Sequence, residues 1–237
     1  MISVAMITLN EEKAIGKVIA EIRAELAAEE HEIVIVDSSG DETPEIASRL
    51  GARVIRQYPP CGYGRAMERV LLEARGDVIV TLDCDDTYPA REILRLAEMV
   101  RSGECDLVNA SRLENRPDAM PMANYLANWM FAAVAHLLLG VPCTDLHSGM
   151  RAYSWAIPRS VEFDSAGPAL PVELLLKPAL LGFRVKEVFI PYRDRIGVTT
   201  LNRWSSTVWT LRRIFRLVPL AIEKRWTKKV QEVAITK

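Results

Sequence analysis

The stretch Gly76–Pro89, GDVIVTLDCDDTYP, limits what this chain can fold into more than any other. Val78 to Leu82 is a short, β-branched apolar run opened by Gly-Asp, the pattern of a buried strand. Asp83, Asp85 and Asp86 follow at once. A buried strand that ends in clustered acids presents them at its carboxyl edge, and in open α/β sheets that edge is where ligands sit. Like charges this close repel, and a divalent cation relieves them. Oxygen ligands select Mg²⁺ or Mn²⁺, which take one or two carboxylates and complete their shell with substrate phosphates. One reading is therefore a metal–diphosphate clamp, with Asp83 and Asp85 as ligands. The other is an acidic turn capping the helix that starts near Pro89.

The residues before and after this stretch place it in an alternating pattern. Ile2 to Leu9 reads as a first strand, and Asn10 as the cap of a helix from Glu11 to about Ala28. Ile33 to Val36 is a second strand ending at Asp37, and Thr43-Pro44 opens a short helix. Val54-Ile55 marks a third strand. The loop Cys61–Gly64 precedes a helix from Arg65 to Arg75. Beyond the acids come a helix over Pro89–Arg101 and a strand over Asp106–Ala110. Strands alternating with helices of this length imply βαβ units and a mostly parallel sheet.

After Arg112 the character changes. Glu114 to Pro121 is polar and reads as a mobile loop. Met122 to Val141 is a long apolar helix, about long enough to span a bilayer. Asn124, Asn128 and His136 give it one polar stripe, which fits packing on protein or lying in a membrane interface better than a span. A second loop, Pro142–Arg151, precedes a short strand and turn. A helix over Pro171–Leu181 and a last strand over Val185–Ile190 follow. Trp204 to Leu220 is helical and leads into a basic tail. Between Arg203 and Lys229 lie eight basic residues, opposed only by Glu223 and interleaved with Trp204, Trp209, Phe215 and Trp226. That mixture describes either a solvated face or a surface for anionic membranes.

At 237 residues, 49% apolar and with net charge −1, the chain carries no global basic bias, so nucleic acid is not an expected partner. Cys61, Cys84, Cys105 and Cys143 lack CxxC spacing and read as free thiols of a reducing compartment. The N-terminus reads as a strand and not as a signal peptide. A cytoplasmic location is expected, with peripheral contact to the membrane.

Four clusters fall at strand ends or helix starts on one rim of the sheet: Thr8-Leu9-Asn10-Glu11, Asp37-Ser38-Ser39-Gly40-Asp41, Gly62-Tyr63-Gly64-Arg65 and Asp83-Cys84-Asp85-Asp86. An acid after the second strand can accept the N–H of a nucleobase. A glycine loop lets backbone approach a nucleotide and aims a helix N-terminus at it. The ordered set resembles the family 2 glycosyltransferases of GT-A fold, most of all the dolichol-phosphate or polyprenyl-phosphate mannosyl- and glucosyltransferase branch. The resemblance runs from Ile2 to about Asn202. Its branch-specific part is Ser111-Arg112, the long helix, Asp145-Leu146-His147-Ser148-Gly149-Met150-Arg151-Ala152-Tyr153, Pro171–Leu175 and Val188–Tyr192. The chain departs from the family pattern at several places. Ile7 and Leu9 replace the proline and aromatic of the first motif, and Asp37-Ser38 replaces Asp-Asp. Asp86-Thr87 stands where a glutamine is common. The late Arg-x-x-Gly-x-Ser-Lys motif becomes Arg195 to Thr200 without its lysine.

The resemblance implies an α/β GT-A catalytic domain over 1–202, with a nucleotide-sugar half at 1–112 and an acceptor half at 113–202. An amphipathic basic helical segment follows at 203–237. It implies an inverting, Mg²⁺- or Mn²⁺-dependent hexosyltransferase using a GDP-mannose or UDP-glucose type donor and a polyprenyl or dolichyl phosphate acceptor. Thr8, Asn10, Glu11, Asp37, Ser39, Gly64 and Asp83 would hold the nucleotide-sugar. A lipid phosphate is already anionic and needs only cationic positioning, by Arg112, Arg151 or Arg195. An alcohol acceptor needs a general base, for which Asp145 stands first and Glu173 second. The bland alternative for Asp145 and Arg151 is a buried ion pair between them. A nucleotidyltransferase would carry a glycine-rich basic loop where Leu9-Asn10-Glu11 stands. A non-catalytic nucleotide-sugar-binding protein, or an enzyme using a soluble acceptor, is the remaining alternative.

Overall fold

The computed structural model describes residues 1–118, 120–196 and 203–235, without the side chains of 203–205 and 227–235. Seven strands form one sheet: β1 Ile2–Thr8, β2 His31–Asp37, β3 Arg53–Arg56, β4 Val78–Thr81, β5 Leu107–Ser111, β6 Arg151–Ser154 and β7 Val185–Phe189. Their order is β3-β2-β1-β4-β6-β5-β7. All pairings are parallel except those of β6, which runs antiparallel between β4 and β5. A strand from the second half of the sequence is thus inserted between two from the first, and both halves share one sheet.

The period-two alternation of β1 explains its burial on both faces. Ile2, Val4 and Met6 point to one core and Ala5 to the other. The first core is closed by α1 (Ile15–Glu25), α2 (Thr43–Arg49) and α4 (Glu92–Arg101) through Val18, Ile22, Ala47, Ile93 and Leu96. The second is closed by α3 (Tyr63–Glu73), α5 (Met122–Leu139), α6 (Ala156–Ser160), α7 (Leu170–Leu180), α8 (Arg203–Arg216) and α9 (Val218–Ile235). Ile35 and Ile79 are fully buried, one facing each core. Cutting such a side chain back to alanine costs about 2–5 kcal/mol.

Register sets the functional rim. Thr8 of β1 pairs with Asp37 of β2, and Asp37 pairs with Arg56 of β3. Ala5 pairs with Thr81, so Asp83 leaves the sheet two residues later beside the end of β1. Thr81 and Asn109 both pair with Arg151. These carboxyl ends flank the point where the strand order turns from β1 outward in both directions, the usual site of a ligand crevice.

Two helix starts differ from the sequence expectation. The first helix begins at Ile15, because Asn10 takes a left-handed conformation (φ 60°) and its Oδ1 accepts from Gly40 N instead of capping its own helix. The helix after the acids begins at Glu92, not Pro89. The expected basic helical segment is present as two helices, α8 and α9, with a break at Leu217 inside the expected Trp204–Leu220 helix and Pro219 in the first turn of α9, where a missing N–H costs nothing. On α5 the polar stripe is split: Asn128 turns inward to meet His147, while His136 is exposed together with Met122, Leu126, Trp129, Met130 and Leu137. By length and composition α5 is apolar enough to cross a membrane, and only 22% of it is buried.

Candidate active site

The rim assembles three of the predicted clusters into one crevice, beginning with the Thr8 and Asp37 clusters. Thr8 Oγ1 donates to Asp37 Oδ1 at 2.6 Å, and Ser39 Oγ to the same oxygen at 2.7 Å. Asn10 N donates to Ser39 Oγ at 2.8 Å, and Glu11 N to Thr43 Oγ1 at 2.9 Å. Asp37 Oδ2 accepts from Ser39 N and from the Arg56 guanidinium. A carboxylate offers about four lone-pair positions. With these four donors Asp37 is saturated, and it is wholly buried. Arg56 was not singled out from sequence, since only the β2–β3 register brings it to Asp37; its side chain is 45% exposed and reaches over the Tyr58 ring. It is the solvent-facing member of the pair.

The acidic cluster forms the next wall. Asp85 is 2% exposed; its Oδ1 accepts from Thr87 N and Oγ1, and its Oδ2 pairs with Arg195 at 2.6 Å. Asp86 points elsewhere, held by Lys17 of α1 and by Arg193. Asp83 is half-buried, and among the described residues nothing hydrogen-bonds to its carboxylate. Burial and then the charge of Asp85 push it up to about 6. Glu11 is pushed up to about 7 by burial and then by Asp85. The space beside Asp83 exists because residue 149 is glycine: a Cβ there would sit 2.4 Å from its carboxylate oxygen.

A cation therefore fits. A half-buried acid without a partner, destabilised by a second acid, is what a divalent ion relieves. Among the described residues no three His, Cys, Asp or Glu side chains enclose a metal by themselves. That suits Mg²⁺ or Mn²⁺ held by one or two carboxylates together with phosphate oxygens.

Gly64 is tied to packing. A Cβ on it would meet the carbonyl of Ser165 at 2.2 Å, so glycine lets the 165–167 segment lie against the start of α3. The adjacent Tyr63 ring lies near Asp83, and burial with that charge holds its hydroxyl well above the usual tyrosine range.

The branch-specific residues form the floor on the acceptor side. Asp145 pairs with Arg112, not Arg151: Arg112 Nε donates to Oδ2 at 2.6 Å and Nη2 to Oδ1 at 2.9 Å. Burial alone would raise the Asp145 carboxyl, but the guanidinium holds it below the ordinary range. Arg112 is 10% exposed and lies against the rings of Tyr192 and Tyr88, which meet edge to face at 5.7 Å. Arg151 is 1% exposed and donates to Asn109 Oδ1, Leu146 O and Pro171 O. Its guanidinium ties β6, β5 and the start of α7 together. Glu173 is bound by Arg213 of α8 and by Lys177. His147 bridges Asn128 and Thr210, and burial pushes it down to about 4, so it is neutral. Of the four proposed catalytic residues, Arg195 alone stands partly exposed at the acidic rim.

The comparisons agree with this geometry. The sequence model described as "Glycosyl transferase family 2" matches residues 3–155. A dolichyl-phosphate hexose transferase of Haloferax volcanii is 41% identical over 205 residues, which cover 86% of this chain and 88% of that protein. Glucosyl-3-phosphoglycerate synthase of Mycobacterium tuberculosis in complex with UDP superposes with a TM-score of 0.74 at 23% identity, over 92% of this chain and 80% of that one. Its complex with Mn²⁺, UDP and glucosyl-3-phosphoglycerate gives 0.67 at 25% identity, covering 95% and 79%. A seven-stranded sheet with its acids and hydroxyls on one rim, matched to the family over most of its length, makes this chain a family 2 glycosyltransferase with the GT-A fold.

Proposed function

We propose that the protein transfers a hexose, with inversion, from a UDP- or GDP-sugar to a polyprenyl or dolichyl phosphate at the cytoplasmic face of a membrane. The observation that carries the acceptor class is the state of the two candidate general bases. Asp145 is locked to Arg112, and Glu173 to Arg213. Neither carboxylate is left to take a proton from an alcohol. A phosphate acceptor needs none, because it is already an anion at neutral pH. The similarity to a dolichyl-phosphate hexose transferase supports the same class.

In this reading Arg56, held in place by the saturated Asp37 carboxylate instead of Asp37 itself accepting from the base, faces the nucleobase, while Thr8, Asn10, Glu11 and Ser39 shape the nucleoside cleft. Asp83 and Asp85 hold Mg²⁺ or Mn²⁺, which when bound supplies Lewis-acid stabilisation of the leaving diphosphate. Gly149 leaves room for the Asp83 carboxylate to turn toward the cation. Arg112 and Arg151 act from below the surface: they fix Asp145, Tyr88, Tyr192 and the 142–151 loop, and so shape the acceptor floor. The exposed apolar face of α5 supports contact with a bilayer.

A second reading keeps the donor and changes the acceptor, because the solved relatives carry phosphoglyceric acid or its glucoside. The shared chemistry is a phosphate-bearing acceptor. Transfer of labelled sugar should be measured with polyprenyl phosphate, polyprenol and 3-phosphoglycerate side by side. Product with the lipid phosphate alone is the expected result. Faster transfer to phosphoglycerate would move the assignment to a soluble acceptor, and transfer to polyprenol would require a base other than Asp145 and Glu173.

A further inference from the structure

The segment after β7 lies along the acidic turn. Arg193 N donates to Thr87 O at 3.0 Å, and Ile196 N to Asp85 O at 2.9 Å. Two backbone bonds thus zip residues 193–196 onto residues 85–87. The side chains repeat the pattern: Arg193 reaches Glu21 and Asp86, and Arg195 reaches Asp85 Oδ2 at 2.6 Å. The other oxygen of Asp85 is already taken by Thr87. A guanidinium therefore sits on the carboxylate oxygen that the metal-and-nucleotide reading assigns to a divalent ion.

A guanidinium and a divalent ion on the same carboxylate oxygen compete for its charge and for the space in front of it. Two positive groups that close in a partly buried crevice also repel each other. We infer that Arg195 is the resident counter-cation of Asp85, exchanged for the divalent ion when the nucleotide diphosphate binds. The inference rests on that metal-and-nucleotide reading. It adds that the free enzyme binds metal weakly because its own arginine competes. It also adds that the displaced arginine, tethered by Ile196 beside the site, is handed to the diphosphate. Metal and nucleotide then assist each other through Arg195, and linkage makes the assistance equal in both directions.

The test uses the full chain and Mn²⁺ alone, followed by paramagnetic resonance of the free ion, then Mn²⁺ with UDP or GDP. Arg195→Gln should bind Mn²⁺ several-fold to about ten-fold tighter in the absence of nucleotide, the gain from removing one competing ion pair. The nucleotide-induced increase in Mn²⁺ affinity should shrink by a similar factor. Arg195→Lys, which keeps a cation, should stay near wild type. Arg193→Gln removes a neighbouring charge that does not touch Asp85, and should tighten Mn²⁺ binding less. Unchanged or weaker Mn²⁺ binding by Arg195→Gln overturns the inference, as does an equal gain in Arg193→Gln, which would reduce it to a general charge effect. In either case normal Mn²⁺–nucleotide binding by wild type leaves the functional reading standing. If wild type binds no Mn²⁺ even with nucleotide present, both fall together.

Discussion

At the scale of single residues, most of the charge in this crevice is already spent on the protein itself, and mutations should sort by that. Arg151 has no exposed donor to offer a ligand. Arg151→Ala leaves Asn109 Oδ1 and two backbone carbonyls without donors, so a loss of about 3 kcal/mol or more is expected in urea unfolding. Donor binding and transfer should then fall together, tracking the folded fraction. Arg112→Ala strands the Asp145 carboxylate in a buried site and should cost about 3–5 kcal/mol. The Asp37–Arg56 pair should behave differently. Arg56→Ala is expected to weaken UDP or GDP binding by about 1–3 kcal/mol while leaving pyrophosphate affinity unchanged. Equal losses for nucleotide and pyrophosphate in calorimetry would place Arg56 away from the base. His147 supplies a pH signature. Its folded value, about 4, lies below the ordinary imidazole range, so the unfolded chain binds a proton that the native one refuses. Stability is full above about pH 6.5 and is lost as pH falls toward 4. His147→Gln should flatten that slope whatever it does to stability at pH 7.

At the scale of elements, α5 is the helix whose burial does not match its composition. Its inward side carries Asn128 and Phe131 against His147, and its outward side carries Met122, Leu126, Trp129 and Leu137. One basic side chain of α9 reaches it: Arg225 donates to Leu138 O. A charge-neutral apolar face beside cations suits insertion into an anionic interface, at about 1 kcal/mol per basic residue before salt screening. Leu126→Glu with Trp129→Glu should abolish sedimentation with anionic vesicles and leave Mn²⁺–UDP binding intact. Full retention on the vesicles would remove α5 from the membrane surface. The elements also show where sequence stops being informative. β1, β2 and β4 were legible, because β-branched runs ending in Asp37 and Asp83 carry their own signal. The sequence pattern also placed the start of α5 at Met122 and its end within two residues. The start of α1 was not legible, because Asn10 reads as a cap until one sees its amide oxygen accept from Gly40. The antiparallel insertion of β6 was not legible either. Four residues, RAYS, do not say which neighbours they pair with.

At the scale of the whole molecule, the crevice is a product of register. Thr8, Asp37 and Arg56 come level on three strands, and Asp83 emerges beside them from a fourth. Sequence grouped the first, second and fourth of these, since each ends a recognisable strand or belongs to its motif. It missed Arg56, Lys17 and Arg193, whose partners lie 19, 69 and 107 residues away. The alternative reading of Asp145, an ion pair with Arg151, fails because the partner is Arg112, 33 residues away, while the β5–β6 register turns the nearer Arg151 inward toward Asn109. The sheet thus separates two tasks. On the proposed function, the β1–β2–β3 side would meet the nucleotide and the β6–β5–β7 side with α5 the acceptor, with the acids at the end of β4 between them. The most direct measurement of this account is transfer of labelled hexose to polyprenyl phosphate by wild type and by Asp85→Asn, each with Mn²⁺ and with a chelator. Wild type with Mn²⁺ is expected to form the lipid-linked sugar. Chelation and Asp85→Asn should each remove it, with the variant's urea midpoint little changed. Undiminished transfer by a folded Asp85→Asn protein, or by wild type stripped of divalent ions, would contradict it.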